Sequence, residues 1–257
     1  GVIHVKNLAT GAIEFVHSIS EVSCFGPQFS PDGKLLAFMS IENTGGGQNS
    51  EGGGTGSGGS TGGGHTGGSD FLVTDLYIKN LETGELLRIP LPDGDGVMPG
   101  SVGSLSFSPD SRTIALSTAA DGLYVGDTNS TWDIYSLNIE SLDFTLISAG
   151  IEGGSGNNES VSPVFSPDGS KLAFSSRASD LISGLSGTAY NVFEKDLTTG
   201  SIRLLVTSGG DGLSNGYALR YKYSGDGTFG VFDSNSPDFF PDGNGGAVVQ
   251  NIATGEY

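Results

Sequence analysis

Phe165-Ser166-Pro167-Asp168-Gly169, with Lys171-Leu172-Ala173-Phe174-Ser175-Ser176 just behind it, recurs along the chain. The copies are Phe29 to Gly33 followed by Leu36-Ala37-Phe38, Phe107 to Ser111 followed by Ile114-Ala115-Leu116, and an eroded one, Tyr223 to Gly227, followed by Phe229-Gly230-Val231. Pro followed by Asp and Gly presets the φ values and side-chain hydrogen bonds of a tight turn, so each copy reads as strand, turn, strand. An internal repeat of this kind decides the architecture before any single segment does.

A second landmark measures the period. It reads Asn7-Leu8-Ala9-Thr10-Gly11, Asn80-Leu81-Glu82-Thr83-Gly84, Asn138-Ile139-Glu140-Ser141-Leu142, Asp196-Leu197-Thr198-Thr199-Gly200 and Asn251-Ile252-Ala253-Thr254-Gly255. Successive anchors are 73, 58, 58 and 55 residues apart, so the middle units are the regular ones. Within a unit the order is strand, Pro-Asp-Gly turn, strand, variable loop, strand, Thr-Gly turn, strand.

The second strands show three columns. One is large (Leu36, Ile114, Leu172, Phe229), the next small (Ala37, Ala115, Ala173, Gly230) and the third large again (Phe38, Leu116, Phe174, Val231). Such strands are buried on both faces, with small residues where sheets crowd together. Four-stranded antiparallel units covered on both sides are the blades of an all-β propeller. A β-sandwich would leave the internal repeat unexplained.

The 257 residues therefore read as a single propeller domain of about four to five blades, complete in itself or part of a longer propeller or array, with units near 1–20, 21–92, 101–148, 159–207 and 216–257. Residues 44–70 interrupt the first full blade. Fourteen glycines lie between Thr44 and Gly68, a flexible coil by composition. Asp32 to Asp75 spans 43 residues against 23 from Asp110 to Asp133, which marks an insertion and not a domain boundary.

The net charge of −18, from 29 acidic and 11 basic residues, repels phosphate backbones and anionic lipid heads. Nucleic acid and membrane insertion are thus excluded as partner classes, and divalent cations are favoured over them. Cys24 is the one cysteine, which rules out an intrachain disulfide and reads as a small buried residue just before a strand. The chain starts at Gly1 and carries no signal segment or long apolar run, as expected of a soluble processed form or piece.

The opening motif, with its Asp-[Leu/Ile/Val]-[Tyr/Phe] third strand and Thr-Gly turn, resembles the TolB-like propeller repeats, which are similar to WD repeats in geometry. The resemblance covers nearly everything outside the glycine insertion, and departs at Ser111, at Leu142 and across Tyr223 to Gly227. It implies a bacterial protein that is extracellular or at the cell surface, with the periplasm as second choice. It also implies a binding platform, part of a large surface protein, or the gating domain of an oligopeptidase.

The most chemical-looking loop is Gly126-Asp127-Thr128-Asn129-Ser130-Thr131-Trp132-Asp133. Oxygens of Asp127, Asn129 and Asp133 on one sharp loop suit a hard cation such as Ca²⁺. A second Asp-x-Asn pair, Asp242 and Asn244, occupies the equivalent loop of the last unit, whereas Leu181 to Tyr190 carries no acid. The competing reading is an Asx-stabilised turn, the simpler account of Asp242 and Asn244 as of Asp93, Asp95, Asp121 and Asp238.

Catalytic patterns are weak. Gly58 to Gly62 spells G-x-S-x-G inside glycine coil, without the strand and helix of a nucleophile elbow, and His4, His17 and His65 have no metal-ligand spacing. The expectation is a non-enzymatic scaffold that binds proteins or copies of itself through edge strands and loops. One alternative is the regulatory propeller of a secreted serine peptidase. Another is a carbohydrate-binding propeller using Tyr124, Trp132 and Tyr190. Both chain ends bring a third strand, which fits a segment of a longer chain, overlapping closure, or strand exchange between copies.

Overall fold

The computed structural model describes residues 3–17, 23–43, 72–92, 102–120, 122–127, 129–187, 189–206 and 216–257. The glycine-rich stretch, including His65 and Gly58 to Gly62, lies outside them, as do Asp93, Asp95 and Asp121. Seventeen strands and no helix occur among the described residues.

The first sheet pairs β1 (Ile3–Lys6) with β2 (Ile13–His17). The second comprises β3 (Ser23–Phe29), β4 (Leu35–Asn43), β5 (Leu72–Asn80) and β6 (Leu86–Ile89). The third comprises β7 (Val102–Phe107), β8 (Thr113–Thr118), β9 (Asp133–Asn138) and β10 (Phe144–Leu146). The fourth comprises β11 (Ser160–Phe165), β12 (Lys171–Ser176), β13 (Asn191–Asp196) and β14 (Ile202–Leu204). The last has three strands, β15 (Ala218–Tyr223), β16 (Phe229–Ser234) and β17 (Gly246–Asn251). Every pairing is antiparallel and sequential.

The opening motif builds its turn as the sequence predicts. Ser166 Oγ donates to Asp168 Oδ1 at 2.6 Å and accepts the Lys171 N–H at 3.0 Å, while Asp168 Oδ1 accepts the Ser170 N–H at 3.0 Å. The same box closes at Ser30 and Asp32, at Ser108 and Asp110, and at Ser224 and Asp226, so the eroded fourth copy keeps its geometry. At the other end of each unit, Asn80 Oδ1 accepts the N–H groups of Glu82 and Thr83, and Gly84 takes a φ of 77°.

Ser111, where glycine is expected, holds a φ of 61° and gains a contact. Its Oγ accepts the Asp32 N–H of the preceding sheet's turn at 3.2 Å.

The sheets stack in chain order. Ala37, Met39, Leu76 and Ile78 of the second pack against Ile114, Leu116 and Leu137 of the third. Ala115 and Ile134 of the third meet Leu172, Phe174 and Phe193 of the fourth, and Ala173 and Val192 meet Tyr221, Phe232 and Val248 of the last. Each sheet thus turns a small-residue face to the next sheet and a large-residue face to the one before. Ile3 and Val16 cover Leu36, Phe38 and Tyr77 in the same sense. Each such fully buried large side chain contributes about 1.5–3 kcal/mol. The first strands lie innermost, β7 against both β3 and β11, and β11 against β15.

The register corrects one expectation. Lys171 pairs with Asp196 and Phe229 with Asn251, so Phe229 matches Lys171, and the columns of the last sheet are Gly230, Val231 and Phe232. Gly230 therefore stands where Leu36, Ile114 and Leu172 stand elsewhere, and Tyr221 fills the space. A Cβ on Gly230 would sit 1.8 Å from Tyr221 Oη. Val231 occupies the small column, yet it is half-exposed with Phe229 and Val249, on the face that other sheets turn to their successor. Cys24 also differs from expectation, lying half-buried inside β3 with its thiol 3.6 Å from Ser40 Oγ.

Recurrent polar ties cross between sheets from one third-strand column. Lys79 Nζ reaches Glu14 at 3.4 Å, Lys195 Nζ donates to the Ile147 carbonyl at 2.9 Å, and Gln250 Nε2 donates to the Leu205 carbonyl at 3.0 Å. The carbonyls of Trp132 and Tyr190 accept N–H groups from Ser160 and Ala218, the first residues of the next sheets.

Candidate metal centre

Asp133 opens β9 at full burial, 0% exposed. Its Oδ1 accepts the Ser148 hydroxyl at 2.6 Å, and that hydroxyl accepts the Ile134 N–H, so a residue beyond β10 fixes the carboxylate. Oδ2 is buried without a hydrogen-bond partner. Burial pushes the carboxyl up to about 7; the hydrogen bond from Ser148 and the nearby side chain of Asn129 oppose this, and the charges of Asp127 and Asp180 add to it.

Asp127 lies half-buried on the loop before β9. Its N–H donates to the Tyr124 carbonyl, and its Oδ2 accepts the Tyr135 hydroxyl at 2.6 Å. Oδ1 is buried and unpartnered, as is Thr131 Oγ1 between the two acids. Asn129 acts as a brace, with Oδ1 accepting the Thr131 N–H at 2.9 Å and Nδ2 donating to the Gly156 carbonyl at 2.5 Å.

Asp75 holds the equivalent place at the second sheet, since Asp75 and Asp133 each lie five residues before the Asn of the Thr-Gly landmark. It is also fully buried, but Arg88 pairs with it at 2.5 Å. In the fourth sheet the place falls to neutral Asn191. Asp133 has a negative neighbourhood instead, with Asp127 and then Asp180 of the fourth sheet acting on it.

Asp242 and Asn244 form an exposed Asx turn. Asp242 Oδ1 accepts the Asn244 N–H at 3.2 Å and Oδ2 accepts its side-chain amide at 2.8 Å, which holds the Asp242 carboxyl below its usual range. Asp238 is likewise hydrogen bonded, to Ser236. Among the described residues no group of three or more His, Cys, Asp or Glu side chains is placed to hold a metal.

Sequence reasoning named Asp127, Asn129 and Asp133 and missed Thr131, Ser148, Tyr135 and Asp180. Asp180 falls one residue before the acid-free loop of its own unit, so only sheet packing brings its charge to bear.

The three aromatic residues have different surroundings. Tyr124 is 44% exposed, the Trp132 ring packs over Gly103, and Tyr190 lies under the Arg177 guanidinium at 5.7 Å. A cleft of about 570 Å³ opens between the third and fourth sheets, lined by Pro109, Asp110, Asp168, Leu172, Lys195 and Leu197 among others.

No family model and no curated protein matches the chain. Solved structures do. An oligogalacturonate lyase solved with manganese overlays 98% of this chain at TM-score 0.58 and 17% identity, and a prolyl endopeptidase overlays 98% at 0.58 and 14%. The chain spans 57% of the lyase and 31% of the endopeptidase. A TolB of Agrobacterium tumefaciens matches over 99% of this chain and 86% of its own, with TM-score 0.40 and 19% identity. The stacked antiparallel sheets, together with the overlays on the lyase and the endopeptidase, give the chain a β-propeller fold.

Proposed function

We propose that the chain is a non-catalytic propeller module, a binding and structural scaffold that works outside the bacterial cytoplasm. The observation that carries the reading is the cleft between the third and fourth sheets. Its volume of about 570 Å³ falls within the range of ligand sites, and its wall is made of turns whose acids already hold backbone N–H groups. A rigid, apolar-floored groove with an acidic rim suits a short segment of a protein partner. No helix among the described residues is long and apolar enough to cross a membrane.

The test immobilises the purified chain and probes extracts of the cell envelope beside Leu197→Arg, which places a charge in the cleft. The expected result is a partner retained by the native chain and lost with the variant, and no turnover of oligogalacturonate or prolyl peptides. Turnover of either by the purified chain overturns the reading.

The endopeptidase overlay favours one second reading, a regulatory propeller of a secreted serine peptidase. An α/β-hydrolase sequence adjoining this segment would decide for it.

A further inference from the structure

We propose that the loop from Asp127 to Asp133 binds a hard divalent cation, Ca²⁺ by its chemistry, through Asp127, Thr131 and Asp133. Six buried side-chain atoms among the described residues lack a hydrogen-bond partner, and three of them are Asp127 Oδ1, Thr131 Oγ1 and Asp133 Oδ2. All three are oxygens on one seven-residue segment. Orphaned buried acceptors are rare, and three of them on one short segment, all oxygens, are of the donor type that Ca²⁺ takes, with water completing six to eight ligands.

The contrast with Asp75 supplies the electrostatic half. A carboxylate sealed from water needs a compensating charge. At Asp75 the Arg88 guanidinium provides it, whereas no cationic side chain pairs with Asp133 among the described residues. Neither Asp127 nor Asp133 has an ion pair among the described residues. The remaining oxygens are held in place, Asp133 Oδ1 by Ser148 and Asp127 Oδ2 by Tyr135, which leaves one free oxygen on each acid. Asn129 joins the loop to Gly156, on the link to the fourth sheet, so filling the loop also fastens two sheets.

Trp132, the one tryptophan of the chain, lies between two of the ligands and reports directly on the site. The chelator-treated full chain is titrated with Tb³⁺, a luminescent stand-in for Ca²⁺, under tryptophan excitation, and then with Ca²⁺ as competitor. The expected result is saturable sensitised emission that Ca²⁺ displaces. Affinity should be at least about tenfold weaker in Asp127→Asn and in Thr131→Val, a variant that keeps both acids, and unchanged in Asp242→Asn. Thermal unfolding of the native chain should rise by several degrees in Ca²⁺ relative to chelator.

Three results overturn the proposal. One is the lack of sensitised emission. Another is equal weakening by Asp242→Asn and Asp127→Asn, the behaviour of a diffuse acidic surface. The last is a melting temperature indifferent to Ca²⁺ together with an Asp133→Asn variant more stable than the native chain, which would assign the pocket to a proton.

Discussion

Gly230 and Tyr221 exchange volume, and breaking the exchange should be costly. A Cβ placed on Gly230 lies 1.8 Å from Tyr221 Oη, 2.2 Å from Cζ and 2.6 Å from Cε2, so the ring itself, not a flexible tip, must move. It has little room. Tyr221 is 1% exposed, stacks on Phe232 with centroids 6.3 Å apart, and meets Tyr223 edge-on at 5.1 Å. Overpacking a close-packed core costs about 1–3 kcal/mol, and displacing either aromatic pair adds about 0.5–1.5 kcal/mol.

Gly230→Ala should therefore lose about 3 kcal/mol, far more than the roughly 1 kcal/mol of propensity that alanine otherwise gains over glycine. Tyr221→Leu alone leaves a cavity and should lose about 2–4 kcal/mol. Combined, the two changes should lose no more than Tyr221→Leu does, giving a coupling energy of about 2–3 kcal/mol. Leu105 and Ile114 already fill the equivalent places in the third sheet, which shows that two aliphatic side chains fit there. Urea unfolding of the four proteins measures the cycle. A Gly230→Ala variant within about 0.5 kcal/mol of the native chain, or additive losses, would refute the packing argument.

Further outcomes follow from the turns and the buried acids. The carboxyls of Asp32, Asp110, Asp168 and Asp226 are held low chiefly by the serine hydroxyls two residues before them, Asp168 and Asp226 to about 2. A depressed folded value means stability fully present above the unfolded carboxyl near 3.9 and lost as pH falls toward about 2, so urea midpoints should drop across that window, and less steeply in Asp168→Asn. Ser111→Ala keeps the left-handed backbone strain and loses the bond from Asp32, so it should cost about 1 kcal/mol; Ser111→Gly relieves the strain and should melt at the higher temperature of the two. Arg88→Met strands the buried Asp75 charge and should cost about 3–5 kcal/mol by denaturant titration, with Arg88→Lys recovering part of it.

The propeller was legible because its signals are local. Serine and aspartate of each turn bond within six residues of one another, so the motif carries its geometry wherever it occurs, even where Ser111 replaces the glycine. The register slip at the last sheet arose from counting apolar letters, Phe229 with Leu172, where the turn's own spacing aligns Phe229 with Lys171. The Gly230–Tyr221 exchange hid for the same reason. Asp127 and Asp133 stood out as acids on a loop, but the roles of Ser148 and Asp180 depend on which strands and sheets come together. The inter-sheet ties of Lys79, Lys195 and Gln250 share a place while differing in chemistry, and no residue pattern announces them.

Because, among the described residues, each turn box closes on itself and each apolar layer joins two consecutive sheets, a unit depends on its immediate neighbours. Duplicating such a unit in the gene adds one more layer of the same kind and disturbs none already present. A lineage built this way can change its count of units readily, while the loops that accept long insertions, like the one in the second sheet, diversify without risk to the stack.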